Sequence, residues 1–182
     1  MTTILGVQHR NGLTLAADLQ VTSGDRPYIH PDLEKIVAVG QLLVACAGSA
    51  RFADVALNLW KPPTYNNETT EYRFMVSKII PSLRNAAERN GVTLKDDEQF
   101  QMLVALNGKL FEIAQDYTVL VSSSNIYGIG SGSMYGIGAL SAGADIETAI
   151  KISTKFDINT GGKIQVVKQG AENATRRISA SK

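Results

Sequence analysis

The chain has 182 residues, 44% of them hydrophobic and 19% charged, with a formal net charge of +1 and a single cysteine. That composition suits a soluble globule able to bury a core without staples. It offers no basic stripe for nucleic acid, no apolar run of membrane-span length, and too few cysteines for an internal disulfide or a cysteine-rich metal site. The expectation is one domain over 1–182 with a polar tail at about 170–182, in a cytoplasmic protein with no signal segment ahead of its first strand.

Residues 3–8, TILGVQ, and 12–17, GLTLAA, read as two strands joined at HRNG, where Asn-Gly marks a hairpin. TSGDRPYIHPD reads as a loop. KIVAV and LLVACA form a second hairpin across GQ. A helix begins in GSARFADVALNLWK, capped by Ser49, with Phe52, Val55, Ala56, Leu59 and Trp60 on one stripe. A second helix lines up Tyr72, Met75, Val76, Ile79, Ile80 and Leu83; Pro81 kinks it and Gly91 closes it. FQMLVAL and KLFEIAQ flank the turn NG as a third hairpin, and NIYGIGSG is a strand running into glycines. SMYGIGALSAG and IETAIKISTKF read as helices, the first rich in small residues suited to close packing. GGKIQVVKQ is a last strand, and GAENATRRISASK a polar tail, mobile at its end. Runs of strands alternating with pairs of helices predict an α+β fold with antiparallel sheets and helices in separate layers.

Candidate chemistry starts at the N-terminus. Removal of Met1 would leave Thr2 with a free α-amine, whose unperturbed pKa of about 7.7–8.0 suits a base near neutral pH. Threonine activated by its own amine is a known nucleophile arrangement, although most threonines at position two do nothing chemical. Asp18 ends the second strand and Lys35 begins the third. A lysine beside the amine disfavours its protonated form and stabilises developing negative charge on the hydroxyl, with Asp18 holding the lysine; a surface ion pair is the plain alternative. In CAGSA the Gly48 N–H can act as an oxyanion donor near a helix start, or the segment is only a helix entry capped by Ser49. GIGSGSMYG places Ser131 between glycines. It is no dinucleotide fingerprint, since Ser133 replaces the third glycine, and no G-x-S-x-G elbow. DINTGG, from Asp157 to Gly162, is a polar turn after a helix.

Taken together, TTILGV, LAADLQVT, KIVAV, ACAGSA, GIGSG and DINTGG resemble, in order and over nearly the whole chain, the proteasome β-type threonine peptidases, especially the bacterial HslV-like members. The resemblance implies the four-layer αββα sandwich of the N-terminal-nucleophile hydrolases and homo-oligomeric stacked rings around a closed chamber. It implies a threonine endopeptidase acting on unfolded polypeptides, with an ATP-dependent unfoldase as a partner and no part for nucleic acid or membrane. By position, Thr2 is the nucleophile and its α-amine the base, Lys35 tunes that amine, and Asp18 partners the lysine. Ser131 and Asp157 order the mature N-terminus and a proton-relay water. Thr160 stands where proteasome subunits usually carry Ser. Gly48 supplies the oxyanion N–H, and backbone groups of Thr22, Gly48 and Ala50 pair with extended substrate. Cys46 falls in the first specificity pocket, or is simply a small buried strand residue. Hydrolysis needs no cofactor, and the family's structural cation, held by backbone carbonyls, maps to Asp157–Gly162.

The chain departs from HslV in carrying Ala17 and Leu19 around the aspartate, in a shorter stretch between Lys35 and Gly48, and in a longer, basic tail, TRRISASK. Two other functions compete. A catalytically silent ring subunit would lack Thr2, Asp18 or Lys35, and all three are present. An N-terminal-nucleophile amidase for small amides would show an accessible single-subunit pocket in place of a chamber. A plain binding module leaves the six ordered motifs unexplained.

Overall fold

The computed structural model describes residues 2–23, 26–29, 33–92, 99–170 and 175–178. Sheet I has the order β10-β1-β2-β11-β12, comprising Ile126–Ile129, Ile4–His9, Gly12–Asp18, Ile164–Gly170 and Thr175–Ile178. Sheet II runs β5-β6-β7-β8-β9, comprising Ile36–Val39, Leu42–Gly48, Phe100–Leu106, Lys109–Ile113 and Val119–Leu120. Every neighbouring pair is antiparallel. The turns bear out their residues: Asn107 and Gly108 both take positive φ between β7 and β8, as a two-residue hairpin of this hand requires.

The strands read as nearly continuous apolar runs because both faces are covered. Leu13, Leu15 and Ala17 of β2 face Leu43, Ala45 and Ala47 of β6 and Leu103 and Ala105 of β7 in a core between the two sheets. The alternate residues of β6 and β7, among them Val44, Met102 and Val104, pack on the first helical layer with Phe52, Met75, Ile79 and Leu83. Leu5, Ala16 and Val166 pack outward on α4 (Ser133–Ser141) and α5 (Ile146–Phe156) through Ala149 and Ile150. Three cores separating two sheets and two helical layers make the expected αββα sandwich. The small residues of α4 do what their size allows, since a Cβ on Gly136 would run into the Leu5 side chain.

Several expectations are corrected. Part of the stretch read as a loop is a hairpin, in which β3 (Gln20–Ser23) pairs with β4 (Arg26–Ile29); Pro27 is tolerated because the two-stranded pair has an open edge among the described residues. β12 is a strand within the polar tail, where none was expected; residues 171–174 and 179–182 lie outside the described set. The first helix is α1 (Ala50–Asp54) followed by a π-helical stretch, Val55–Leu59. The second is α2 (Glu71–Phe74), a π-helical stretch Met75–Ile79, then α3 (Ile80–Arg89). An i→i+5 turn advances the chain differently round the axis, so stripes counted at 3.6 slide off the buried face. Leu59, Tyr72 and Val76 are accordingly exposed, while Phe52, Met75, Ile79 and Leu83 are buried. Pro81 stands in the first turn of α3, directly after the irregular stretch, where its missing N–H is accommodated.

The registers bring the chemistry to one end. Ile4 faces both Ala17 and Ile129, and Asp18 faces Ile164, so the start of β1 and β11 lies beside the end of β2 and β10. In sheet II the start of β5 and β7 lies beside the end of β6, with Gly48 opposite Phe100. No helix among the described residues is long and apolar enough to cross a membrane.

Candidate active site

Asp18 is fully buried at the end of β2. Such a carboxylate is tolerated only when its lone pairs are filled. Its Oδ1 accepts from the Thr2 hydroxyl, from the Thr3 N–H at 2.7 Å and from Lys35 Nζ at 3.2 Å. Its Oδ2 accepts the N–H groups of Gln20 at 3.1 Å and Gly161 at 3.0 Å. Lys35, just before β5, is also buried, and its Nζ donates to the Thr2 hydroxyl oxygen and the Gln20 carbonyl as well. Burial is the largest influence on the Lys35 ammonium and pushes its pKa below the ordinary lysine value; the charge and hydrogen bond of Asp18 pull back only in part. The Thr2 hydroxyl is thus held between an acceptor and a cation. Met1 lies outside the described residues.

A second carboxylate braces the same segment. Asp157 Oδ2 accepts the hydroxyls of Ser131 at 2.7 Å and Thr160 at 2.6 Å, and Oδ1 accepts the Asn159 N–H at 3.2 Å. Burial alone would raise the Asp157 pKa, but bonds from Thr160, Ser131 and Asn159 outweigh it and hold the pKa below the usual carboxylate value. Thr160 Oγ1 lies 2.7 Å from Thr3 Oγ1. A hydroxyl has one proton, and that of Thr160 goes to Asp157, so Thr3 donates to Thr160. Thr3 and Gln20 are contributors that the sequence did not single out; a threonine at a strand start and a glutamine beside an aspartate carry no distinctive signal. The Gln20 amide donates to Thr22 Oγ1 at 3.2 Å and the Ile158 carbonyl at 3.0 Å, tying β3 to the 157–161 turn.

The glycines of GIGSG serve clearance. Gly130 has φ +88°, and a Cβ there would collide with the Thr2 carbonyl oxygen. A Cβ on Gly132 would meet Thr3 Oγ1 and, at 2.7 Å, Thr160 Oγ1.

Thr2 and Lys35 open on a cavity of about 260 Å³ whose lining includes Thr22, Cys46, Gly48 and Ala50, with Ala47, Ala53 and Leu57 and the acidic Glu34 and Asp54. Six of the ten residues singled out from sequence therefore share one cavity. Asp18 lies behind it, bonded to Thr2 and Lys35, while Ser131, Asp157 and Thr160 reach the segment through Thr3. Gly48 has φ +97°, and a Cβ there would strike the Gln99 carbonyl, so packing as well as chemistry favours glycine. Ser49 caps α1 as expected, accepting the Phe52 N–H at 3.3 Å. Burial raises the Cys46 thiol far above its ordinary value, so Cys46 is an inert wall of the cavity at neutral pH.

No cluster of three or more His, Cys, Asp or Glu suited to a metal occurs among the described residues. In the 157–163 turn, the carbonyls of Asp157, Ile158, Gly161 and Lys163 already accept N–H groups from Thr160, Gln20 and Leu19.

No protein-family model matches the chain. It is 27% identical over 176 residues, 91% of this chain and 98% of the other, to the ATP-dependent protease subunit HslV of Ligilactobacillus salivarius (strain UCC118). The solved structure of Thiobacillus denitrificans BPH in complex with epoxomicin superposes with TM-score 0.73 at 25% identity, covering 93% of this chain and 99% of that one. Eukaryotic HslV from Trypanosoma brucei superposes with TM-score 0.62 at 22% identity over 92% of this chain and 98% of that one, a likeness of fold.

Gly130→Ala is expected to cost at least about 1–3 kcal/mol, since it combines a strained positive φ with a clash against Thr2. Urea unfolding measures this, and unchanged stability would show that the Thr2 carbonyl does not rest on Gly130.

Proposed function

We infer that this chain is an HslV-like threonine peptidase of the proteasome β-type family, hydrolysing polypeptide inside a ring chamber. The observation that carries the reading is the Thr2 hydroxyl lodged between Asp18 and Lys35 at the edge of a cavity. It is supported by the HslV relative, which spans nearly the same length. The proposal takes 1–182 as one domain of a cytoplasmic homo-oligomer of stacked rings that an ATP-dependent unfoldase feeds. A cavity on each subunit that opened directly to bulk solvent would expose folded proteins to cleavage, and ring closure removes that hazard.

In the proposed mechanism Met1 is removed, freeing the Thr2 amine. The amine takes the proton of Thr2 Oγ1 as that oxygen attacks the substrate carbonyl carbon. The carbonyl π electrons move to oxygen, and the Gly48 N–H stabilises the resulting oxyanion. α1 is only five residues long before it turns π-helical, so this donor acts without a long helix behind it. The tetrahedral intermediate collapses, and the leaving amine carries off the proton held on the Thr2 nitrogen. An ester on Thr2 remains. Water, deprotonated by the same amine, attacks the ester, and collapse returns the hydroxyl and releases an acid. Lys35 stays charged through the cycle; it disfavours protonation of the neighbouring amine and stabilises negative charge on Oγ1. Asp18 keeps Lys35 oriented, and Asp157, with Ser131 and Thr160, fixes the mature end. Extended substrate pairs with backbone groups of Thr22, Gly48 and Ala50, and Cys46 contributes to the side-chain pocket. The reaction uses no cofactor. A cation in the 157–162 turn would have the carbonyls of Asn159, Thr160 and Gly162 to bind and would brace the turn, and no catalytic step runs through it.

Lys35→Ala should lower kcat for a fluorogenic peptide by roughly 10²-fold or more, with particle size unchanged by light scattering; near wild-type turnover would remove Lys35 from the mechanism. Because the lysine charge is lost as pH rises through a lowered pKa, kcat/KM should fall on the alkaline side with a midpoint below the ordinary value of 10.5. A profile flat up to that value counts against a charged Lys35. Light scattering should give a particle of on the order of ten or more subunits, as stacked rings demand; an active monomer overturns the chamber. Mass spectrometry of active protein should show a chain starting at Thr2. Protein made to retain Met1 has an amide where the base should be, and is expected to assemble yet form no ester with an electrophilic peptide inhibitor.

A further inference from the structure

Gln165 lies on β11, opposite Ala17 and one residue beyond the Ile164–Asp18 pair. Its neighbours Ile164 and Val166 pack outward toward the helices, while Val167 points into the core between the sheets. By the alternation of a strand, position 165 therefore faces sheet II, where an apolar residue would be expected. The amide there is heavily engaged. Its Oε1 accepts the N–H of Lys35 at 2.9 Å and of Ile36 at 3.0 Å, and its Nε2 donates to the Ile36 carbonyl at 2.9 Å. Three of the four bonds an amide can make thus go to two consecutive residues where the chain enters β5.

β5 is an edge strand of sheet II, so among the described residues the N–H and C=O groups on its outer side have no strand partner. Gln165 supplies one, at the residue from which the Lys35 side chain departs. The lysine stem has four rotatable bonds, and its ammonium must meet Thr2 Oγ1 and Asp18 Oδ1 together. Holding the Lys35 backbone to the strand beside β2 references the cation to the element that carries Asp18. We propose that Gln165 is a positioning residue for the reaction: it sets Lys35, and through it the Thr2 hydroxyl, by clamping the start of β5 to β11. The inference rests on the peptidase reading above.

The amide suits this task better than its relatives do. A glutamate keeps an acceptor for both N–H groups but faces the Ile36 carbonyl with a second acceptor, and a methionine of similar length makes none of the three bonds. Gln169, four residues along on the same face, provides a control. It makes a comparable stitch between the sheets, accepting the Gly108 N–H at 3.3 Å, but touches nothing near Thr2.

The test compares Gln165→Met, Gln165→Glu, Gln169→Met and Lys35→Ala in the assembled full-length protein, with kcat and KM from a fluorogenic peptide and thermal midpoints for each. Gln165→Met should lower kcat roughly 10- to 100-fold, the scale of a small misplacement of a reacting group, with KM within about twofold. Gln165→Glu should recover part of the loss, and Gln169→Met should keep wild-type kcat. Wild-type kcat in Gln165→Met, or an equal loss in Gln165→Met and Gln169→Met, overturns the proposal. If Gln165→Met does not fold, Gln165→Glu decides: kcat reduced severalfold at a wild-type midpoint supports positioning, and unchanged kcat overturns it. No peptide hydrolysis by the unmodified protein would defeat the peptidase reading itself; a fully active Lys35→Ala protein removes Lys35, and with it the positioning role, from the mechanism, whereas an inactive one beside a fully active Gln165→Met defeats only the positioning role.

Discussion

The buried charge of Asp18 is the constraint to which the other parts of this site answer. Taking a carboxylate out of water costs several kcal/mol even after relaxation, and that cost is offset only when the charge is surrounded by donors. Here the donors come from separate pieces of chain: Thr2 and Thr3 ahead of β1, Gln20 at the start of β3, Lys35 just before β5, and Gly161 after α5. The carboxylate is satisfied only when all of these are in place. The convergence that gathers these groups around Thr2 therefore also relieves an electrostatic penalty, and the site cannot be loosened without exposing the fold to that penalty.

Between the two sheets, polarity is admitted only where it is bonded. Gln8 of β1 accepts the Leu110 N–H of β8 at 2.9 Å, Gln101 of β7 accepts the Gly130 N–H at 3.0 Å, and Gln165 and Gln169 of β11 reach sheet II in the same way. Apolar packing alone lets two flat faces slide, because hydrophobic contact is not directional. Amides that cross the gap fix the slide. Gln101 acts beside Gly130, against which Thr2 rests, and Gln165 acts beside Lys35, so two of these stitches lie at the end that carries Thr2.

The architecture was legible in the sequence where local and global demands agree. The β1–β2, β5–β6 and β7–β8 hairpins are marked by turn residues and by apolar runs long enough for strands buried on both faces. β3 and β4 were hidden because their short polar runs resemble a loop, and β12 because a charged tail gives no periodic signal. The π-helical stretches hid for a different reason: nothing in VALNL or MVSKI distinguishes i→i+5 from i→i+4 bonding, and the cost was misplacing Leu59, Tyr72 and Val76. In the site, Thr2, Asp18 and Lys35 stood out as chemically distinctive types at strand ends. Thr3, Gln20 and Gln165 did not, because their roles arise from register between strands far apart in sequence.

Chain ends ordinarily fray because ordering each residue costs about 1–2 kcal/mol of backbone entropy and few contacts return it. The segment Thr2–Thr3 escapes this by being held from several directions. Asp18 takes the Thr2 hydroxyl and the Thr3 N–H, the Asp157–Thr160 pair takes the Thr3 hydroxyl, and Gly130 leaves room for the Thr2 carbonyl to lie against it. The two carboxylates divide the work by environment. Asp18, wholly buried and in contact with a cation, acts on Thr2. Asp157, less deeply buried and bonded to neutral hydroxyls and an amide N–H, acts on its neighbour. In the proposed mechanism Thr2 carries its own base, which needs its α-nitrogen and its hydroxyl in one fixed relation. That relation is set by anchoring the residue after the nucleophile as firmly as the nucleophile itself, which is why the second threonine of TT is as much a part of the site as the first.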